Sequence, residues 1–307
     1  MRCSKYSSFF VALLAAMLPV GGIADDEQRL NVVATLATFA DIAQSIGGDR
    51  VKVSHIASPR FNPHFIEPRP TDVLRVKRAD LFIHGGLDLE AWRGPLVDAA
   101  ANPRVRPGGD RELPLATGIS LLDVPKALSR ADGDVHVHGN PHYWLDPRNG
   151  RVIAETIAEK LESLDPQHAH AYRDGLDRFT GELNREMKKW ESLLAPHKGR
   201  EFVAYHDEWA YLFDFAGLRS EVFLEPKPGI PPTPKSLLQV EKHVLEHGIP
   251  AVVQATFMPK RPAKKLAGRT GVRVIFLCQN VGELPAAKSY ASLIAYNVTQ
   301  LLSALED

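Results

Sequence analysis

Cysteine is nearly absent from this chain. Among 307 residues there are two, Cys3 and Cys278. Cys3 stands in the leader-like start, so the mature chain keeps one thiol and no internal disulfide is open to it. An exported protein of this size can rest on its own core without one. Charge of one sign is also missing: Lys plus Arg and Asp plus Glu number 37 each. That balance gives no footing for nucleic acid or an anionic lipid surface, and no nucleic-acid partner is expected. Past the first 24 residues no apolar run is long enough to cross a membrane. There is no His-Glu-x-x-His helix either, which removes the usual sequence sign of a zinc hydrolase. What is present is a soluble profile, 44% hydrophobic and 24% charged, with enough aromatic residues to furnish a core.

The first 24 residues differ from the rest. Arg2 and Lys5 precede an uncharged run from Phe9 to Val20, then small Gly22 and Ala24, then Asp25, Asp26 and Glu27. This reads as a secretory signal peptide over residues 1–24. Cys3 lies before the apolar run rather than at the cleavage position, so no lipid anchor is expected. A periplasmic location follows.

Downstream, short apolar runs alternate with helical patterns. Residues 30–36, then Val51, Val53 and His55, then Leu81-Phe82-Ile83 read as strands; helices are expected through Ile46 and from Thr71-Asp72. Thr38 or Asp41 is the expected cap of the first helix. Residues 102–140 show little periodicity, and Asp132 to Gly139 reads as a loop. Asp146-Pro147 opens a helix to about Leu164, Asp as cap and Pro in the first turn. Tyr172, Leu176, Phe179, Leu183, Met187, Trp190 and Leu194 then form one apolar stripe on a helix of roughly 28 residues. A second α/β set follows: strands at 202–205, 251–254 and 272–277, helices at 207–215, 236–247 and 290–305. The expected fold is α/β: two lobes with parallel sheets, residues 25–165 and 199–307, joined by one long rigid linker helix, 166–198.

Of the twelve histidines, three stand out. His64 follows Asn62-Pro63, His142 follows Asn140-Pro141, and His206 closes the strand ending at Tyr205. Ligands of parallel α/β sheets bind outside the carboxyl ends of strands, so a site made of all three would lie between the lobes. Neutral imidazole offers one lone pair, and Zn²⁺ gathers such donors tetrahedrally. The prolines restrict the backbone and so limit where two of the rings point. Glu67 and Asp146 are expected to accept the outer N–H of His64 and His142. His136 and His138 form a short accessory tract in the loop. His55 and His84 are held in reserve. His168, His170, His197, His243 and His247 read as surface residues on helix faces or ends.

These segments resemble the periplasmic substrate-binding proteins of zinc and manganese ABC transporters, the cluster A-I family. Asn62-Pro63-His64-Phe65-Ile66-Glu67-Pro68, Ala79-Asp80-Leu81 through Gly86-Leu87-Asp88-Leu89-Glu90-Ala91-Trp92, Pro141-His142-Tyr143-Trp144-Leu145-Asp146-Pro147 and Tyr205-His206-Asp207-Glu208-Trp209-Ala210-Tyr211 are similar to that family's motifs, in the family's order. Glu225-Pro226 to Pro234 resembles its proline-rich stretch. The resemblance implies two Rossmann-like lobes, a metal site between them, and delivery to a membrane permease for import. It places the His136–His138 loop where zinc members carry a histidine-rich insertion.

Two positions depart from the family's pattern. Its last ligand is usually an Asp three residues before a Gly; here Gln279 precedes Gly282, leaving Gln279 as candidate fourth ligand. Gln254 stands where a Glu is common. Manganese and iron members usually carry Glu in place of His206, so a set of three imidazoles favours Zn²⁺ as the ion carried. The expected partners are an ABC permease and a periplasmic zinc chaperone, and the protein is expected to act as a monomer and not as an enzyme. Two alternatives stand beside this reading: a secreted zinc hydrolase with Glu208 or Glu67 as base, and a metal-binding adhesin.

Overall fold

The computed structural model describes residues 29–125, 136–225 and 230–306, together with Met1. Residues 2–28, 126–135, 226–229 and 307 lie outside the described residues, and with them the expected signal peptide beyond Met1, the first half of the 132–139 loop and part of the proline-rich stretch. Two four-stranded parallel sheets carry the architecture. In the first, β1 (Leu30–Ala34) lies between β2 (Val51–His55) and β3 (Leu81–His84), and β4 (Glu112–Pro114) pairs with β3. The second repeats that order. There β5 (Glu201–Ala204) lies between β6 (Arg219–Phe223) and β7 (Ala251–Ala255), with β8 (Arg273–Leu277) beyond β7. The chain direction across each sheet reverses at its first strand, so the crevice for a ligand opens at the carboxyl ends of β1 and β5 and their neighbours. The central strands are apolar because helices cover both faces; β7, Ala-Val-Val-Gln-Ala, is buried throughout.

The helices follow from the periodicity of the sequence. They are α1 (Ala37–Gly47), α2 (Pro70–Lys77), α3 (Arg93–Ala100), α4 (Pro147–Leu164), α5 (Ala169–Leu194), α6 (Ala210–Ala216), α7 (Pro234–His247), α8 (Lys260–Thr270) and α9 (Tyr290–Leu305). Among the described residues no helix is long and apolar enough to cross a membrane. The 26 residues of α5 span about 39 Å at 1.5 Å per residue. Tyr172, Leu183, Trp190 and Leu194 of its stripe are buried, and Leu176, Phe179 and Met187 pack against the same core. Its contacts are with α1 and α4 of the first lobe and with α6 and α9 of the second. The helix therefore lies against both lobes, as a brace must.

The expected cap of α1 is corrected by the structure. Leu36 holds the cap position and no side chain closes it. Thr38 and Asp41 instead reach the second lobe: Thr38 Oγ1 donates to Asn280 Oδ1 at 3.3 Å and accepts from the Val281 N–H at 3.1 Å. Asp41 Oδ2 accepts from the Tyr290 N–H, the first residue of α9, at 2.8 Å. Tyr290 in turn donates its hydroxyl to the Trp144 carbonyl at 2.8 Å. These hydrogen bonds between buried or half-buried groups tie the lobes beneath the crevice.

Candidate metal centre

His64 is set by a pair of turns. Asn62 Oδ1 accepts its main-chain N–H at 3.0 Å, and the carbonyl of Pro63 accepts from Trp92 Nε1 at 2.8 Å. Its Nδ1 lies 3.2 Å from the Leu89 carbonyl. That carbonyl is aimed by three consecutive residues of positive φ, Gly86, Leu87 and Asp88 at 75°, 55° and 59°. Positive φ at Leu87 and Asp88 is strained and persists where the surroundings impose it. Glu90 supplies that constraint: its carboxylate accepts from the N–H of Gly85 at 2.8 Å and of Gly86 at 3.3 Å, and from Thr35 Oγ1 at 2.6 Å.

His142 is held from Asn140. The Asn140 Oδ1 accepts from both the main-chain N–H and Nδ1 of His142, at 3.1 and 3.0 Å. The other end of that amide donates to the Asp207 carbonyl in the second lobe at 2.8 Å. His206 follows β5, and its Nδ1 lies 2.8 Å from Glu225 Oε2. Glu225 is brought there by its own N–H, which donates to the Tyr205 carbonyl at 2.8 Å.

In all three rings Nδ1 faces an acceptor: a carbonyl, an amide oxygen, a carboxylate. Each Nδ1 therefore carries the proton and each Nε2 keeps a lone pair. The lone pairs converge. Nε2 of His64 and His142 stand 3.1 Å apart, and the donor atoms of all three histidines lie within 4.8 Å of one another. Three donors around a tetrahedral Zn²⁺ with bonds of 2.0–2.1 Å would sit about 3.3 Å apart. Facing lone pairs repel unless a proton or a cation lies between them, and a proton is disfavoured here. Burial first, then the imidazoles of His136 and His206, hold His64 down to about 3. Burial and then His64 push His142 well below the ordinary imidazole range. The three histidines together could hold a metal cation, and burial disfavours a proton on two of them.

The remaining sequence candidates divide. His136 stacks on His64, with ring centroids 4.9 Å apart, so the loop brings one imidazole to the cluster. His138 turns away and is exposed, 3.7 Å from Asp88 Oδ2. Gln279 is buried and its Oε1 has no hydrogen-bond partner among the described residues. Its main-chain carbonyl accepts from Trp144 Nε1 at 2.8 Å, and the Trp144 ring lies 5.5 Å from that of His142. Glu67 and Asp146, expected behind His64 and His142, are elsewhere. Glu67 is exposed, and Asp146 caps α4 and pairs with Arg148 at 2.7 Å. A residue three or four positions after a histidine in a turn need not double back to it, and Asp146 is taken up by the helix end it precedes. The places behind the rings fall to the Leu89 carbonyl, Asn140 and Glu225. Sequence reading passed over these because two come from distant segments and the third sits two residues upstream as an apparent turn former.

His84 is also taken, its Nε2 3.0 Å from Glu112 Oε1 within the first sheet, and His55 Nδ1 lies 2.9 Å from the Ala57 carbonyl. Cys278 is sealed in a small apolar cluster with Val281, Ala287 and Leu293, and burial pushes its thiol up. Glu208 is fully buried, and burial followed by the neighbouring Glu225 raises its carboxyl well above the ordinary range. Burial thus disfavours the ionised form that a hydrolytic base would need, and Glu67 is on the surface.

Comparison with known proteins agrees with this architecture. The profile of the family described as zinc-uptake complex component A, periplasmic (ZnuA) matches residues 32–304. The iron-binding protein YfeA of Yersinia pestis is 26% identical over 308 residues, covering 95% of this chain and 91% of the relative. A manganese ABC transporter substrate-binding lipoprotein, PsaA of Streptococcus mitis, is 24% identical over 98% of this chain and 99% of its own. Among solved structures, a zinc-bound ZnuA lacking residues 138–173 of its own chain superimposes with a TM-score of 0.76 at 26% identity, covering 90% of this chain and 98% of that one. The profile runs through both lobes and all three histidine turns, and the chain accordingly belongs to the ZnuA family, as a metal-binding substrate-binding protein of an ABC transporter and not an enzyme.

Proposed function

We propose that this protein captures Zn²⁺ in the periplasm between its two lobes, through Nε2 of His64, His142 and His206, and delivers it to an ABC permease for import. The observation that carries the reading is the convergence of three imidazoles, two buried and one half-buried, whose Nδ1 atoms all face acceptors. The donor set is all nitrogen. Imidazole suits Zn²⁺, whereas Mn²⁺ favours carboxylate oxygens. The Yersinia and Streptococcus relatives are named for iron and manganese; the nitrogen donors argue for a different ion here. Glu225, behind His206, contributes the negative charge that three neutral ligands lack. The fourth position belongs to Gln279 Oε1, to water or to His136 from the loop. Burial of the ion by the loop and lobes limits escape, and the permease must part them to release it.

Zinc titration of the mature protein in parallel with manganese tests this. Zinc is expected to bind far more tightly, and His64→Ala, His142→Ala and His206→Ala each to weaken it by about a hundredfold or more, beyond the range for losing an outer partner alone. Equal affinity for manganese would overturn the zinc assignment. Wild-type zinc affinity in all three variants would overturn the site.

A further inference from the structure

A second cluster of metal-binding side chains lies at the other end of the second lobe. His243 and His247 are four residues apart on α7, one turn, and their rings stack with centroids 4.2 Å apart at 22°. Glu201, the first residue of β5, places Oε1 2.7 Å from His243 Nε2. One donor atom from each of the three falls within 4.8 Å of the others. His206 follows the carboxyl end of that same strand, five residues on, which at about 3.3 Å per residue puts Glu201 roughly 16 Å from the cleft.

We infer that Glu201, His243 and His247 form a second zinc site, on the outer end of the second lobe. Two histidines at i and i+4 present their nitrogens on one helix face, the spacing by which helices chelate a divalent transition ion. Two imidazoles and a carboxylate make a donor set suited to Zn²⁺. The position adds to this. His247 is in the last turn of α7, where the free carbonyls of the helix end favour a cation. Glu201 and His243 are mostly buried, at 12% and 19% side-chain exposure. Two of the three donors are thus held in place before any ion arrives. His247 is exposed, so the site opens to solvent on that side and leaves room for water or for a ligand from outside. Competition from water makes it weaker than the cleft. Zinc at two places about 16 Å apart or more along β5 gives the protein a surface collecting point separate from the site that delivers the ion.

The test is zinc titration of the mature protein in four forms. In wild type a tight step is expected, followed by a weaker one. In His142→Ala/His206→Ala the tight step goes and the weaker one stays. In His243→Ala/His247→Ala the tight step stays, which also shows that the variant folds, and the weaker one loses at least about tenfold in affinity, the scale seen when even an outer partner is lost. His247→Ala alone, at an exposed position, gives the same direction should the double variant fail to fold. Absence of a weaker step from the cleft variant, or its persistence unchanged in His243→Ala/His247→Ala and in His247→Ala, overturns the site. Failure of the cleft assignment would look different: the tight step would survive His142→Ala/His206→Ala.

Discussion

Glu225 Oε2 stands 2.8 Å from Nδ1 of His206, 19 positions earlier in the chain, with α6 and β6 between them. This pair sets the proton on Nδ1, leaves the Nε2 lone pair for the cleft, and brings one negative charge to a cluster of otherwise neutral rings. Replacing Glu225 by Gln keeps the size and a hydrogen-bond acceptor and removes the charge. Zinc affinity is expected to fall about 10- to 100-fold, with little change in thermal stability of the zinc-free protein. Competition titration against a chelator of known affinity reads the change. An unaltered affinity would mean that Glu225 does not serve the ion through His206.

Acid should release zinc later than free histidine chemistry suggests. Three imidazoles of ordinary pKa, about 6.5, would lose about 10⁴-fold in zinc affinity between pH 7 and pH 5. Burial and the neighbouring imidazoles hold His64 down to about 3 and lower His142 also. Protons therefore compete weakly at these two rings across that interval, and the loss should be far smaller. The zinc-free protein responds with the same sign. Above about 6.5 both folded and unfolded rings are neutral; below it the unfolded chain takes up protons that the folded rings refuse, so stability falls progressively toward about 3. Urea midpoints of the zinc-free protein at a series of pH values check the trend, and His142→Ala should flatten it.

The sequence disclosed the elements whose pattern is local. The cap and proline at Asp146-Pro147 and the stripe from Tyr172 to Leu194 place α4 and α5 within a few residues of where they are found. It hid β4, β6 and α8. β4 is three residues long, and β6, Arg-Ser-Glu-Val-Phe, is a half-exposed edge strand whose charges mask its alternation. α8 is mostly basic surface, with Ala263 and Leu266 as its buried residues. At the cleft, His64, His142 and His206 were legible because each stands at a strand end or beside Asn-Pro. Their outer partners were not, because a main-chain carbonyl 25 residues away leaves no mark in composition. The cap candidates Thr38 and Asp41 failed for a related reason: tertiary partners in the second lobe outbid the local helix end.

Gln279 offers a gain-of-affinity experiment. Its Oε1 is buried without a hydrogen-bond partner among the described residues, and its backbone is fixed by Trp144 and Glu283. A carboxylate there would add charge and a stronger oxygen donor to the ion. Gln279→Asp is expected to tighten zinc by about tenfold or more, the inverse of losing a charged neighbour. The zinc-free variant should be less stable than wild type near neutral pH, since an unpaired buried carboxylate is costly. Zinc would thus raise its Tm by a larger interval than it raises the wild type's. A variant whose zinc affinity does not change would remove Gln279 from the coordination of the ion.

Two glycines of α5 should respond oppositely to the same substitution. Alanine is favoured over glycine in a helix by about 1 kcal/mol. At Gly181 an added methyl meets nothing closer than Arg185 Nη1 at 3.7 Å, an ordinary contact. Gly181→Ala should therefore raise Tm by a degree or so up to about 4 °C. At Gly175 the methyl would land on the main-chain carbonyl of Ile46 in α1, where neither side can give way without moving a helix. Overpacking of this kind costs about 1–3 kcal/mol. Less the propensity gain, that leaves Gly175→Ala with a net cost of up to about 2 kcal/mol and a Tm lowered by up to roughly 8 °C. Calorimetry on the two variants separates helix propensity from the close approach of α5 to α1. If α5 braces the lobes through that approach, Gly175→Ala should also loosen the cleft, with faster zinc dissociation, while Gly181→Ala leaves the rate as it is. A Gly175→Ala protein as stable as wild type would show that α5 is free to slide on α1, and the brace would have to be sought elsewhere on the helix.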